Sequence, residues 1–174
     1  MSRAFVKEDA VGEAPLVPRR ALLPEGVPNL VTRSGLAALE AERAGLAAEL
    51  RRLEAGPQDL PEHLQSLLVV RERLMELDER LASARLAPPP RDPAREVALG
   101  SLVTVRRGTT DVQFRIVGVD EADPGEARVA FTAPVAAAVL GRCVGDVVES
   151  GESGPSLTIL AVRYDDDGSG SGER

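Results

Sequence analysis

From Thr32 to Ala55, Leu36, Leu39, Leu46, Leu50 and Leu53 recur at spacings of three and four, with Arg43 in the remaining seam position. This is the heptad stripe of a helix that buries one face against a partner. Thr32, following Asn29 and the apolar Leu30-Val31, has the chemistry of an N-cap. Gly56-Pro57 stops the helix, because proline cannot continue it and glycine accepts a left-handed cap. A second stripe of Leu64, Leu67, Val70, Leu74, Leu77, Leu81 and Ala84 predicts another helix, starting near Pro61 and capped by Gln58 or Asp59. Two helices of similar length joined by a tight turn predict an antiparallel coiled-coil hairpin, since no third long helix follows to cover them.

The pattern changes after the run Ala87-Pro88-Pro89-Pro90-Arg91-Asp92-Pro93. Short β-branched runs follow at Leu102–Arg106, Val112–Val119, Arg128–Thr132, Asp146–Glu149 and Leu157–Arg163, each bounded by Gly, Asp or Pro turn chemistry. Thr109-Thr110-Asp111 and Ala122-Asp123-Pro124-Gly125 read as turns. Pro134 to Gly141 is rich in alanine and suits a short helix opening at proline. The fold class is therefore α+β: a helical hairpin, then a bent antiparallel sheet with one short helix. The expected organisation is a flexible Pro-rich arm (1–29), the hairpin (30–87), a stiff linker (88–96), the sheet domain (97–164) and a disordered acidic tail (165–174). Gly141, Gly145 and Asp146 are expected to serve turns.

Composition narrows the chemistry. Phe5, Phe114, Phe131 and Tyr164 are the only aromatic residues, so the core must be aliphatic. One cysteine and one histidine exclude a disulfide framework and a His/Cys metal site. A reducing, cytoplasmic setting is expected. No apolar run approaches the ~20 residues of a membrane helix, and the first residues lack a signal-peptide apolar core. One lysine against 20 arginines suggests a GC-rich bacterial genome. The formal charge of −7 argues against gripping bulk nucleic acid through its phosphates. Arg19-Arg20 in the arm is either a docking patch or a solvated pair.

The order strand, acidic turn, strand, Ala133-Pro134, alanine-rich helix, Leu140-Gly141 and Gly145-Asp146 before a Val-Val strand, all preceded by a leucine hairpin, resembles the GreA/GreB family of bacterial transcript-cleavage factors. The resemblance runs from Leu30 to Tyr164. It implies an FKBP-like sheet module and a partner, RNA polymerase, whose secondary channel the hairpin enters. Nucleic acid would be met only indirectly, inside the elongation complex. The chain would be a monomer and not an enzyme, without a cofactor of its own. In the family, acidic residues at the hairpin tip help hold a Mg²⁺ at the polymerase active centre. The matching residues here are Asp59 and Glu62, in the Asp-Leu-x-Glu core of that motif. The sheet-module loop that touches the polymerase rim corresponds to Thr132, Ala133 and Pro134, with Ala133 where the family has serine. Asp120, Glu121 and Asp123 lie on an acidic turn suited to a basic rim.

Rival readings stay open at this stage. Asp59 and Glu62 also suit the start of any helix, through capping and the macrodipole. Gln58, Pro61 and His63 depart from the family's tip motif, and each arm is about six or seven residues short of the family's. At 1.5 Å per residue this withdraws the tip by about 10 Å. A non-catalytic channel binder like Rnk, or an inhibitory one, is thus an alternative. A peptidyl-prolyl isomerase, suggested by the FKBP-like module, and a coiled-coil adaptor outside transcription are more distant ones.

Overall fold

The computed structural model describes residues 20–56, 60–149 and 156–165. The chain opens with a two-residue strand, β1 (Leu30–Val31), then helix α1 (Arg33–Glu54), helix α2 (Pro61–Ser83) and β2 (Arg85–Leu86). The sheet module holds β3 (Ser101–Arg107), β4 (Thr110–Val117), two 3₁₀ turns (Val119–Glu121 and Pro124–Glu126), β5 (Arg128–Ala130), α3 (Pro134–Val139), β6 (Val147–Glu149) and β7 (Ser156–Tyr164). No described helix is long and apolar enough to cross a membrane.

The two helices pack antiparallel. Arg43 pairs with Asp78, and Glu54 near the far end of α1 pairs with Arg71 at 2.8 Å. Both bridges are exposed and contribute little to stability. The seam supplies more, because Leu39 and Leu77 are buried with Val31, and Leu36, Leu46, Leu81 and Ala84 pack around them. Leu64, expected in the seam, is 46% exposed. It lies where α1 is ending, so little of the partner helix faces it. Thr32 caps α1 as expected, its Oγ1 accepting from the Gly35 amide at 2.9 Å. The α2 cap differs from expectation. Leu60 takes the N-cap position, without a side-chain hydrogen bond, and Pro61 is the first helical residue. Pro57, Gln58 and Asp59 lie outside the described residues.

The five strands run in the order β5-β4-β3-β7-β6. The three pairings made by β3, β7 and their neighbours β4 and β6 are antiparallel, but β4 and β5 pair in parallel, so the sheet is mixed rather than wholly antiparallel. The link between β4 and β5 is a crossover through the two 3₁₀ turns. The expected turn at Ala122–Gly125 is present, closed by an antiparallel Asp123–Arg128 bridge, but it lies inside that crossover and β5 runs parallel to β4. The β3–β4 turn is also tighter than expected. Thr110 and Asp111 already belong to β4, opposite Arg107 and Arg106. Gly108 (φ +61°) sits at the first central position of a two-residue loop, the position where a type II′ turn needs glycine.

Along β7, Leu157 and Ile159 face inward, then the register with β3 slips so that Leu160 has no partner. The bulge flips the inward parity, and Val162 becomes the next core-facing residue. Val103 and Val105 of β3, Ile116 of β4 and Val139 of α3 complete an aliphatic core to which the aromatics Phe114 and Phe131 belong. Gly141 (φ +72°) and Gly145 (φ +96°) occupy left-handed turn positions, and Asp146 accepts from the Cys143 amide at 2.8 Å, as the turn reading requires.

Leu77 is fully buried in the hairpin seam, against Leu39 and Val31. Leu77→Ala should lower stability by about 2–5 kcal/mol through lost burial and the cavity left behind. Urea unfolding checks this as a lowered midpoint at unchanged slope.

Candidate functional site

The hairpin has two ends with different chemistry. At the tip, α1 closes with Ala55 as C-cap, and the Gly56 amide donates to the Leu53 carbonyl at 3.1 Å. His63 reaches back across the turn, its Nε2 lying 2.6 Å from that same carbonyl. A Cβ on Gly56 would come within 2.7 Å of the His63 ring, so a side chain there would push the ring from its place. His63 therefore stitches the two arms together at the tip. Glu62 stands exposed in the first turn of α2, where a carboxylate suits the helix dipole. Among the described residues its carboxylate has no partner. Asp59, the other predicted tip carboxylate, lies outside the described residues. Among the described residues no group of three or more His, Cys, Asp or Glu side chains gathers closely enough to hold a metal.

At 1.5 Å rise per residue, the 22 residues of α1 place the base of the hairpin about 33 Å from the tip. The base is built by the acidic turn. The parallel pairing of β4 with β5 sets Val117 beside Ala130, and Phe131 donates its amide to the Val117 carbonyl. The loop after β4 and the turn after β5 consequently leave the sheet at the same end. Asp120, Glu121 and Asp123 are thereby brought to the same end of the sheet as Thr132, Ala133 and Pro134. Thr132 and Ala133 are half-buried, while Pro134 is exposed and opens α3 behind Ala133.

Two of these acids point into the molecule, where the sequence had placed them on an acidic turn suited to an outside partner. Glu121 accepts from the Thr32 amide (3.1 Å), the Thr32 hydroxyl and the Gly118 amide (3.1 Å). Helix α1 has no acid in its own first turn, and Glu121 supplies that charge from the sheet module. The Asp120 side chain is 4% exposed, with Arg20 Nη1 at 3.2 Å and Arg80 Nε at 3.2 Å. The second of these contacts, at Oδ2, is ionic rather than an aligned hydrogen bond. Arg20 also pairs with Glu42 of α1. Burial works against the Arg20 charge, but the Glu42 and Asp120 carboxylates outweigh it and hold the guanidinium above its ordinary pKa. Only Asp123 stays largely at the surface, capping the Gly125 amide at 2.9 Å and facing Arg128 at 3.4 Å.

Several of these partners carried no signal of their own in the sequence. Asn29, 4% exposed, donates to the Arg80 carbonyl (2.9 Å) and to Ser83 Oγ (3.0 Å), tying the start of the hairpin to its end. Its neighbours Leu30-Val31 pair in parallel with Arg85-Leu86. A helix beginning without an acid in its first turn is the one hint that a distant carboxylate serves it. Of the aromatics that an isomerase pocket would need, Phe114 and Phe131 are buried in the core. Tyr164 lines a crevice of about 100 Å³ with Val31, Leu99 and Asp165.

The family model for the carboxyl-terminal domain of the transcription elongation factors GreA and GreB matches residues 92–164. The chain is similar to transcription elongation factor GreA of Chloroflexus aggregans, 33% identical over 155 residues covering 78% of this chain and 98% of that one. It is 35% identical to the GreA of Chloroflexus aurantiacus over the same shares. A solved GreA/GreB factor from Nitrosomonas europaea overlays with a TM-score of 0.37 at 20% identity, covering 78% of this chain and 98% of that one.

The Glu121 clamp makes a sign-reversal prediction. A Cβ on Gly35 would overlap the Glu121 carboxylate. Helix propensity alone favours Gly35→Ala by about 1 kcal/mol, whereas each displaced hydrogen bond to a charged group costs about 1.5–3 kcal/mol. Gly35→Ala should therefore destabilise the wild-type protein but stabilise the Glu121→Ala variant. A double-mutant cycle by urea unfolding reads this coupling directly.

Proposed function

The chain belongs to the GreA/GreB family of transcription elongation factors, and from that premise we propose that it binds bacterial RNA polymerase at the secondary channel, hairpin foremost. The observation that carries this reading is the two-ended hairpin: a base rooted in the family-matched module and, about 33 Å away, the exposed carboxylate of Glu62, without a partner among the described residues. The end of the sheet bearing Thr132, Ala133, Pro134 and Asp123 is the surface we assign to the polymerase rim. Asp120 and Glu121 act there indirectly, by holding the hairpin in place. The acidic net charge accords with docking on protein rather than on free nucleic acid.

The chain carries no reaction of its own in this reading. Mg²⁺ takes hard oxygen ligands, and at the polymerase centre it would supply a polarised water and neutralise phosphate charge. Asp59 and Glu62 are the residues that would add oxygens to it. A single described carboxylate suits a supplementary ligand to a shared ion, not a resident site. Reach argues against efficient use of even that ligand. A tip withdrawn by about 10 Å cannot meet a tolerance of roughly 1 Å. Channel occupancy without robust cleavage is thus the favoured form of the function.

Core RNA polymerase should retain the 174-residue chain in a pull-down, and saturating GreA should displace it. Retention indifferent to GreA would sink the shared site. In backtracked elongation complexes the wild-type protein should give little RNA cleavage while hindering nucleotide entry. Any cleavage it does stimulate should vanish in the Asp59→Asn, Glu62→Gln variant with polymerase affinity nearly intact. Strong Mg²⁺-dependent cleavage by the wild type would overturn the occupancy-only form.

A further inference from the structure

The chain passes between hairpin and sheet module twice, and both crossings lie side by side in the parallel pair Leu30-Val31 with Arg85-Leu86. Two adjacent crossings make a hinge, so the angle of the hairpin depends on contacts away from that axis. Beside the direct Arg80–Asp120 and Thr32–Glu121 contacts, the segment before the hairpin supplies such contacts. Arg20 lines a groove of about 470 Å³ between α1 and the acidic turn, with Gly35, Leu39, Glu42 and Asp120 around it. It bridges that groove, pairing with Glu42 on α1 and Asp120 on the sheet side. Arg80 of α2 closes the network, contacting Asp120 and donating to the Ala21 carbonyl.

The rest of the segment is laid against the sheet module. Leu23 and Val27 pack on its core, and the Val27 amide closes a turn onto the Pro24 carbonyl at 3.1 Å. Gly26, at φ +77°, takes the third position of that turn, where a type II geometry requires a positive φ. Pro24 and Pro28 restrict the unbound chain, so little freedom is lost when the segment seats.

We propose that Arg20–Asn29 is an intramolecular brace that fixes the angle between the helical hairpin and the sheet module, with Arg20 as its positioning residue. The brace replaces the free arm that composition suggests for this stretch. It does not depend on what the hairpin later enters, so its test needs no polymerase.

Spin labels placed at Met75→Cys on α2 and Val147→Cys on β6, in a Cys143→Ser background, report the angle as a distance distribution by double electron–electron resonance. Both label sites are exposed. The parent should give a single narrow peak. Arg20→Ala should lose it to a broad band, and Arg20→Lys, which keeps the charge but not the forked geometry, should retain a peak of intermediate width. Arg52→Ala, an exposed change in the last turn of α1, should leave the parent peak untouched. A folded Arg20→Ala protein with the parent peak, or equal broadening by Arg52→Ala, overturns the brace. Should Arg20→Ala fail to fold, Glu42→Gln reads the same contact from its half-exposed side. A loosened peak there supports the brace, and an unchanged one overturns it.

Discussion

The structure depends on two adjacent carboxylates, Asp120 and Glu121, which turn inward from the loop after β4. Glu121 does for α1 what the helix's own first turn does not, meeting the orphan amide and hydroxyl of Thr32. Asp120 is almost sealed from solvent and is tolerable there only because Arg20 and Arg80 flank it. A buried charge stripped of its partner is far costlier than the pair is stabilising. The network therefore works less as glue than as a constraint: arrangements that keep Asp120 buried without Arg20 and Arg80 beside it are disfavoured.

The mixed sheet makes that constraint possible. Had β5 returned antiparallel through a tight hairpin, the loop after β4 would have been consumed as a turn. The parallel register instead frees residues 118–127 to cross over, placing the acidic turn and the Thr132-Ala133-Pro134 turn at one end. The surface assigned to a partner and the clamp on the hairpin thus share one set of strand ends.

The tip is built differently. Among the described residues there, His63 reaches the Leu53 carbonyl and packs against Gly56. Among the described residues no cluster of metal ligands forms there. A base tied to the sheet by several buried contacts accords with the channel-binding role proposed above.

How much of this was legible in the sequence follows from the range of each interaction. Heptad spacing, Gly56-Pro57, the Thr32 cap, the β-branched runs and Pro134 all act within a few residues, so the α+β order and most element bounds could be read directly. The family resemblance was legible for the same reason, because turn chemistry and apolar spacing are local. What local patterns cannot express is which partner a charge will find. Arg20 and Asp120 are 100 residues apart, and Thr32 and Glu121 are 89 apart. Asp120 and Glu121 look like a solvated acidic turn until the hairpin is set over them. The strand direction of β5 was hidden likewise, since alternation reports which face is buried but not which way a strand runs. The sequence by itself determined the elements and their buried faces; tertiary packing decided which acids face inward, because only the assembled fold brings the arginines and the helix start to meet them.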